Sequence, residues 1–330
     1  MTISWPIGLG AGLATALVVA AVAARVPLAV PLFLLLPLPL LIVALGWGPR
    51  TGAVVVGVAT AALSLGIGWP WGLSYLLTHG GPILVLAALA CLPVRAPRQA
   101  GGDQTGSVGP AYSSHPGLVL AMIALVSGGF AAAAMLTLGA GPEGYQPLIR
   151  EELRGMLDSY FNPQVKADLG EEGFEKLLQE VLALVPTMLA LVWFALMAAC
   201  LWIAGRVLAA SGRLPARWPD LGATDAPGFL PLTFMAAVAG TFLAGTAGDI
   251  AKGFVAAHVA AYVLIGLAVL HSITRGSAFR LFALAGAYLA LVAMPPLAGL
   301  LLVVLGLADP IFGLRARAMS SGREWDSKGG

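Results

Sequence analysis

The sequence predicts an all-α protein, a polytopic integral membrane bundle of about ten transmembrane helices. Three observations carry that prediction. Of 330 residues, 59% are hydrophobic and only 10% are charged, whereas soluble domains carry about 25% charged residues. Mean hydropathy is +0.90. Apolar runs of about 18 to 20 residues, long enough to cross a bilayer, recur from end to end. The short alternating strands of a transmembrane barrel are absent from the sequence pattern.

Taken in order, the runs fall at 7–24, 28–45, 51–68, 73–92, 117–138, 181–205, 229–248 and 252–271. Ala21-Val22-Ala23 mimics a signal-peptidase site, but MTISWP carries no basic residue, so an uncleaved first span is expected. A last apolar block, Gly276 to Leu314, is too long for one helix and is interrupted at Met294-Pro295-Pro296. Two prolines remove donors and crowd the preceding turn, giving either one kinked, tilted span or a tight hairpin of two.

Charge decides between them. With the N-terminus inside, the inner connections hold Arg50, then Arg95 and Arg98, then Arg206, Arg213 and Arg217, then Arg275 and Arg280. The outer ones hold Arg25, Lys252 and one long acidic segment. A hairpin returns Arg315, Arg317, Arg323 and Lys328 to the cytoplasm, as the positive-inside rule prefers. The expectation is therefore ten spans in a bacterial cytoplasmic (inner) membrane, with both termini cytoplasmic.

Two connections are long. Residues 96–116, rich in Gly, Ser, Pro and Gln, read as a cytoplasmic linker, and His115 within it receives no role. Residues 139–180 differ in kind. YQPLIREELRGMLDSYF sets Leu148, Leu153, Met156, Leu157 and Tyr160 close to one helical face, with charges opposite. Such an amphipathic segment, 143–180, lies on the outer membrane surface or caps the bundle.

In the first run Gly8, Gly12, Ala16, Ala20 and Ala24 fall at every fourth position. A row spaced by four lines one helix face and admits a neighbouring helix to near backbone contact. It either packs internally, against a nearby helix such as the third with its similar patch at Gly57 and Ala61, or docks a separate partner.

Chemistry-bearing motifs are missing. No GxxxxGK[ST], HExxH, GxSxG or EF-hand pattern occurs, so no catalytic residue, metal ligand or cofactor is assigned. The net charge of +2 does not point to nucleic acid, because the basic residues sit at the ends of apolar runs. Cys91 and Cys200 lie inside apolar runs and read as small core hydrophobes. Asp249 and Lys252 flank the seventh-to-eighth turn and are expected to pair. Asp309 lies within two turns of Arg315 and is expected to fix the last helix through a local ion pair. His79 precedes Gly80-Gly81-Pro82, where either the helix ends or its backbone breaks to expose carbonyls. Trp5, Trp47, Trp69 and Trp71 sit where spans begin or end. The polar-tipped groups that would anchor a small solute among apolar walls are Tyr145, Tyr160, Trp193 and His258.

Two resemblances bear on function. The proline-punctuated second span, Gly46-Trp47-Gly48-Pro49-Arg50-Thr51-Gly52, and the Gly/Ala-rich third span resemble the substrate-binding S components of energy-coupling-factor vitamin transporters. That likeness covers about residues 1–205. It implies a six-helix bundle whose first helix docks on a transmembrane coupling subunit, with the row from Gly8 to Ala24 in the matching place. Nearly the whole chain, including the closing LGLAD…LRAR, is similar to the uncharacterised bacterial YybS-like membrane proteins (domain-of-unknown-function family 2232). That similarity implies no chemistry.

Residues 1–205 are thus expected to form an S-component-like bundle and 206–330 a four-helix extension with a basic tail. The functional expectation is a solute-binding or transport-related protein. Its pocket would open outward, beneath segment 143–180 and between the first six helices. Its partners would be the lipid bilayer and separate coupling and ATPase subunits. A membrane scaffold for envelope assembly is the alternative, favoured by the lack of intramembrane charge. A lipid-modifying enzyme ranks last, since Asp, Glu and His are scattered rather than clustered.

Overall fold

The computed structural model describes residues 3–91, 116–138, 144–213, 224, 226–315 and 317–318. The linker with His115, residues 139–143 and the tail with Arg323 and Lys328 lie outside the described residues. Every regular element among the described residues is a helix. Seven of these helices are long and apolar enough to cross a membrane. They are α1 (Trp5–Ala23), α4 (Pro49–Gly66), the run of α5 (Trp69–Tyr75) into α6 (Gly81–Ala90), α7 (Pro116–Leu138), α9 (Pro163–Ala210), α11 (Thr246–Ile273) and α13 (Pro295–Phe312). Shorter apolar helices are α2 (Ala29–Leu34) with α3 (Pro37–Trp47), α10 (Leu230–Gly240) and α12 (Arg280–Ala293). Between α7 and α9 lies the amphipathic α8 (Gln146–Tyr160). The protein is therefore a helical integral membrane protein in contact with lipid.

The chain packs into two compact units drawn from alternating stretches. One comprises Met1–Ile123, Ala195–Gly228 and Ala261–Gly330; the other comprises Ala124–Phe194 and Phe229–Ala260.

In the first unit α1 lies against α4 along its small-residue row. Gly8, Gly12 and Ala16 are buried there together with Thr15 and Val19. A Cβ at Gly8 would stand 2.7 Å from Val54 Cγ1, and one at Gly12 would stand 2.7 Å from Val58 Cβ and 2.9 Å from the Val55 carbonyl oxygen. The glycines thus receive valine side chains and bring the two backbones together, which is how helices associate where lipid supplies no hydrophobic drive. The row's far end is less covered: Ala20 is half-buried and Ala24 exposed. The partner helix is the one the sequence suggests, but Gly57 and Ala61 are exposed and point away from the contact.

Around His79 the helix neither ends nor breaks. It passes through a π-turn, Leu76–Gly80, and resumes as α6. The wider turn fits because Gly81 approaches the Leu76 carbonyl so closely that a Cβ would stand 2.7 Å from it. His79 is buried, edge-on to Phe33 at 5.2 Å and hydrogen-bonded to Thr78 Oγ1 at 2.6 Å. Cys91 and Cys200 are both free thiols, each against a backbone carbonyl (Ala44 and Leu34) at 3.8 Å.

The second half of α11 packs against α13. Gly266 meets the Leu302 carbonyl, and a Cβ at Gly306 would stand 3.0 Å from the Tyr262 carbonyl and 3.2 Å from the Gly266 nitrogen, so the two backbones cross in close contact at these glycines. Met294 (φ −140, ψ 63) breaks the chain between α12 and α13. At the end of α13, Gly313 takes a left-handed conformation (φ 60) that ends the helix, as glycine does without steric cost. The chain then folds back so that Arg315 Nε donates to Asp309 Oδ2 at 2.8 Å and its backbone N–H to Oδ1 at 3.1 Å. The expected Asp–Arg pair is present, and both residues are buried.

In the second unit α7, α9, α10 and α11 pack through glycines and aromatic rings. Gly128 accepts the Phe254 ring, and Gly253 lies against the Pro186 carbonyl and Ala131. Phe130 stacks on Trp193 at 4.0 Å.

Candidate functional site

The most elaborate polar assembly among the described residues lies in the second unit, at the root of α11. Gly245 (φ 65) turns the chain out of α10, and Gly248 crosses the Leu243 carbonyl too closely for any side chain. That tight entry places Asp249 in the first turn of α11, where unpaired N–H groups and the helix dipole favour a carboxylate. Asp249 is 6% exposed. Lys252 Nζ donates to its Oδ1 at 2.8 Å, Tyr145 Oη to its Oδ2 at 2.8 Å and Gln146 Nε2 to the same oxygen at 3.1 Å. Three donors therefore offset the desolvation of one buried carboxylate.

Tyr145 and Gln146 start α8, directly after Gly144 (φ 71). They reach Asp249 across more than one hundred residues of chain, so the amphipathic segment is pinned by its first turn to the first turn of α11. Tyr145 is 1% exposed. Burial and the adjacent Asp249 carboxylate push its phenol well above the ordinary value.

Beyond that anchor, α8 turns back on α9. Arg150 and Arg154 both pair with Glu175 of α9, and the Arg154 guanidinium stands 6.0 Å over the ring of buried Phe174. No α8 side chain is fully buried. Asn162 Oδ1 accepts from the Val165 backbone N–H at 2.9 Å, capping the start of α9, and Gly170 (φ 65) bends that helix. The bend leaves a cleft of about 460 Å³ lined by Arg154, Asp158, Ala167, Gly170, Glu171 and Phe174. Its wall carries both signs of charge over one aromatic ring.

The four predicted anchors have separate surroundings. Tyr145 belongs to the Asp249 cluster. Tyr160 is 85% exposed at the end of α8. Trp193 is buried on Phe130. His258 is fully buried: it stacks on Phe234, its Nδ1 lies 2.7 Å from the Phe254 carbonyl and its Nε2 lies 2.9 Å from Thr233 Oγ1. Its two ring nitrogens are thus engaged within the helix pair α10–α11. The Asp249–Lys252 pair was legible from sequence, but its extension to Tyr145 and Gln146, and the Arg154 cleft, were not. Among the described residues no group of three His, Cys, Asp or Glu side chains could hold a metal ion.

Compared with protein-family models, curated proteins and solved structures, the chain matches none.

Proposed function

We propose that this chain is a solute-binding, transport-related protein of the bacterial cytoplasmic membrane, and that its α8–α9 segment receives a small polar solute on the outer side. The observation that supports this reading is the cleft between α8 and α9, carried on a segment anchored through Asp249 to a membrane helix. The placement of arginines supports an inner N-terminus and an inner 96–116 connection, with α8 on the outer side. The resemblance of residues 1–205 to energy-coupling-factor S components points the same way. With no nucleotide-binding motif in the sequence, active uptake draws on separate coupling and ATPase subunits.

A thermal-shift screen of the purified protein against water-soluble vitamins and other small solutes tests the reading. A solute at 100 times its Kd stabilises the folded state by about 2.7 kcal/mol, and Arg154→Ala removes that gain. A silent screen, together with no ATPase co-purifying from native membranes, defeats the proposal.

The scaffold reading has one supporting observation: Ala53, Gly57 and Ala61 form an exposed small-residue row on α4. A pull-down dominated by envelope-assembly proteins, and lost in Gly57→Leu, would select it.

A further inference from the structure

We propose that the junction of α3, α4 and the end of α9 binds the phosphodiester headgroup of an anionic phospholipid. The Arg213 guanidinium, laid on the Trp47 ring, holds the phosphate, and Arg50 adds charge beside it.

The junction stands where two apolar stretches end. The chain carries no charge from Val26 to Pro49, where Arg50 follows, and none from Val181 to Gly205, where Arg206 follows. The two ends meet: a Cβ at Gly46 would stand 2.6 Å from Leu208 Cδ2, and Leu208 is 1% exposed. Runs of that length fill the acyl layer, so their joined ends belong at the headgroup boundary, where tryptophan is enriched.

Backbone geometry then aims Arg213. Gly212 (φ 64) turns the chain at the end of α9. Its N–H donates to the Ala209 carbonyl at 3.2 Å, and the Arg213 N–H donates to the Leu208 carbonyl at 2.9 Å, the paired closure that a glycine permits after a helix. The guanidinium comes to lie 4.7 Å from the centroid of the Trp47 ring. Trp47 is the last residue of α3, and Gly48 (φ 96) makes the turn that puts Arg50 in the first turn of α4.

The N–H groups of Arg213 are not drawn into the fold. The Trp47 carbonyl accepts from Thr51 Oγ1 at 3.2 Å, and the Leu208 carbonyl accepts from Ser211 Oγ at 3.1 Å as well as from the Arg213 backbone. Neutral donors therefore occupy the carbonyls nearest the guanidinium. Among the described residues neither Arg50 nor Arg213 pairs with a carboxylate, and both are exposed. An arginine laid flat on an indole keeps its N–H edge available and gives up little freedom in gripping a phosphate through two parallel hydrogen bonds. A phospholipid supplies that phosphate at this depth, with its acyl chains continuing beside the apolar runs.

Arg206 provides a contrast. It stands 6.0 Å over the Trp202 ring, one turn back on α9 itself. Leu208 faces α3, and two residues turn a helix by about 200°, so Arg206 lies on the far side of α9. It carries the same charge near the same depth but outside the junction.

Native mass spectrometry of the detergent-purified full chain, with phosphatidylglycerol and phosphatidylcholine added in equal amounts, tests the site. The parent protein is expected to retain one phosphatidylglycerol in preference to phosphatidylcholine. Arg213→Gln should weaken that retention about tenfold, the loss expected for a hydrogen bond to a charged group. Arg50→Gln should weaken it by a smaller factor, and Arg206→Gln should leave it unchanged. All three arginines are exposed, so the melting transition of each variant should match the parent's. Equal retention of the two lipids, or unchanged retention in Arg213→Gln, overturns the proposal. So does an equal loss in Arg206→Gln and Arg213→Gln, which would mark a general attraction between positive charge and anionic lipid. Glycerol phosphate at the same concentration should not displace the bound lipid; displacement overturns the assignment to a lipid.

Discussion

Replacing Tyr145 by Phe deletes one hydroxyl and leaves the ring in place. That hydroxyl donates at 2.8 Å to Asp249 in a site where the tyrosine is 1% exposed and the aspartate 6% exposed. A hydrogen bond to a charged group contributes about 1.5–3 kcal/mol. Because Gln146 and Lys252 still donate to the carboxylate, the loss belongs at the lower end, about 1.5–2 kcal/mol. Tyr160→Phe is the control. Its ring is 85% exposed at the other end of the same helix, and surface changes of this kind stay within about 0.5 kcal/mol. Equilibrium unfolding of both variants in one detergent, with hydrogen exchange followed over residues 144–162, reads the difference. Tyr145→Phe should lower stability and speed exchange throughout α8, since the helix has no other fully buried side chain to hold its start. If Tyr145→Phe is as stable as Tyr160→Phe and exchanges at the parent rate, the Asp249 cluster does not anchor the segment.

The same cluster has a pH signature. A phenol held protonated by burial and a neighbouring carboxylate keeps its stabilising contribution up to about pH 10, its ordinary value, and loses it as pH climbs further, because the unfolded chain ionises first. Unfolding measured from pH 8 to 12 should show the parent protein losing stability faster than Tyr145→Phe above that point. At the other end of the chain, Asp309→Ala strands a buried Arg315 and should cost about 3–5 kcal/mol, whereas Asp309→Leu/Arg315→Met should recover much of it; matched denaturation curves of the single and double variants decide. Ala16→Leu forces a large side chain between α1 and α4 and should cost about 1–3 kcal/mol, while Ala24→Leu, at an exposed site, should melt with the parent.

Sequence reading succeeded where contacts are local or periodic. The Asp309–Arg315 pair spans six residues with a glycine placed to turn the chain, and Asp249–Lys252 spans one helical turn. Both are visible as spacing. The row from Gly8 to Ala16 identifies a face, and the commonest use of such a face, packing on a neighbouring helix, is the one found. Spacing does not say what fills the face: the glycines take Val54 and Val58, and the similar patch at Gly57 and Ala61 turns outward. Gly80-Gly81-Pro82 looked like an interruption because those residues commonly end helices, yet the lack of side chains is also what lets the chain wind into a π-turn and continue. The link from Tyr145 to Asp249 left no trace in the sequence. No periodicity couples residues a hundred positions apart, and a tyrosine opening an amphipathic helix looks like any interfacial aromatic. The cleft beside Arg154 depends on the bend at Gly170, a positive-φ position that an isolated glycine does not announce.

The central claim is that segment α8–α9 is the part of the protein that meets solute. Hydrogen exchange of the protein in lipid nanodiscs, with and without a pool of water-soluble vitamins and other small solutes, tests it most directly. The account predicts slower exchange in residues 150–175 on adding the pool, and no such slowing in Arg154→Ala. Stabilisation of the protein by the pool with exchange in 150–175 unchanged would contradict it.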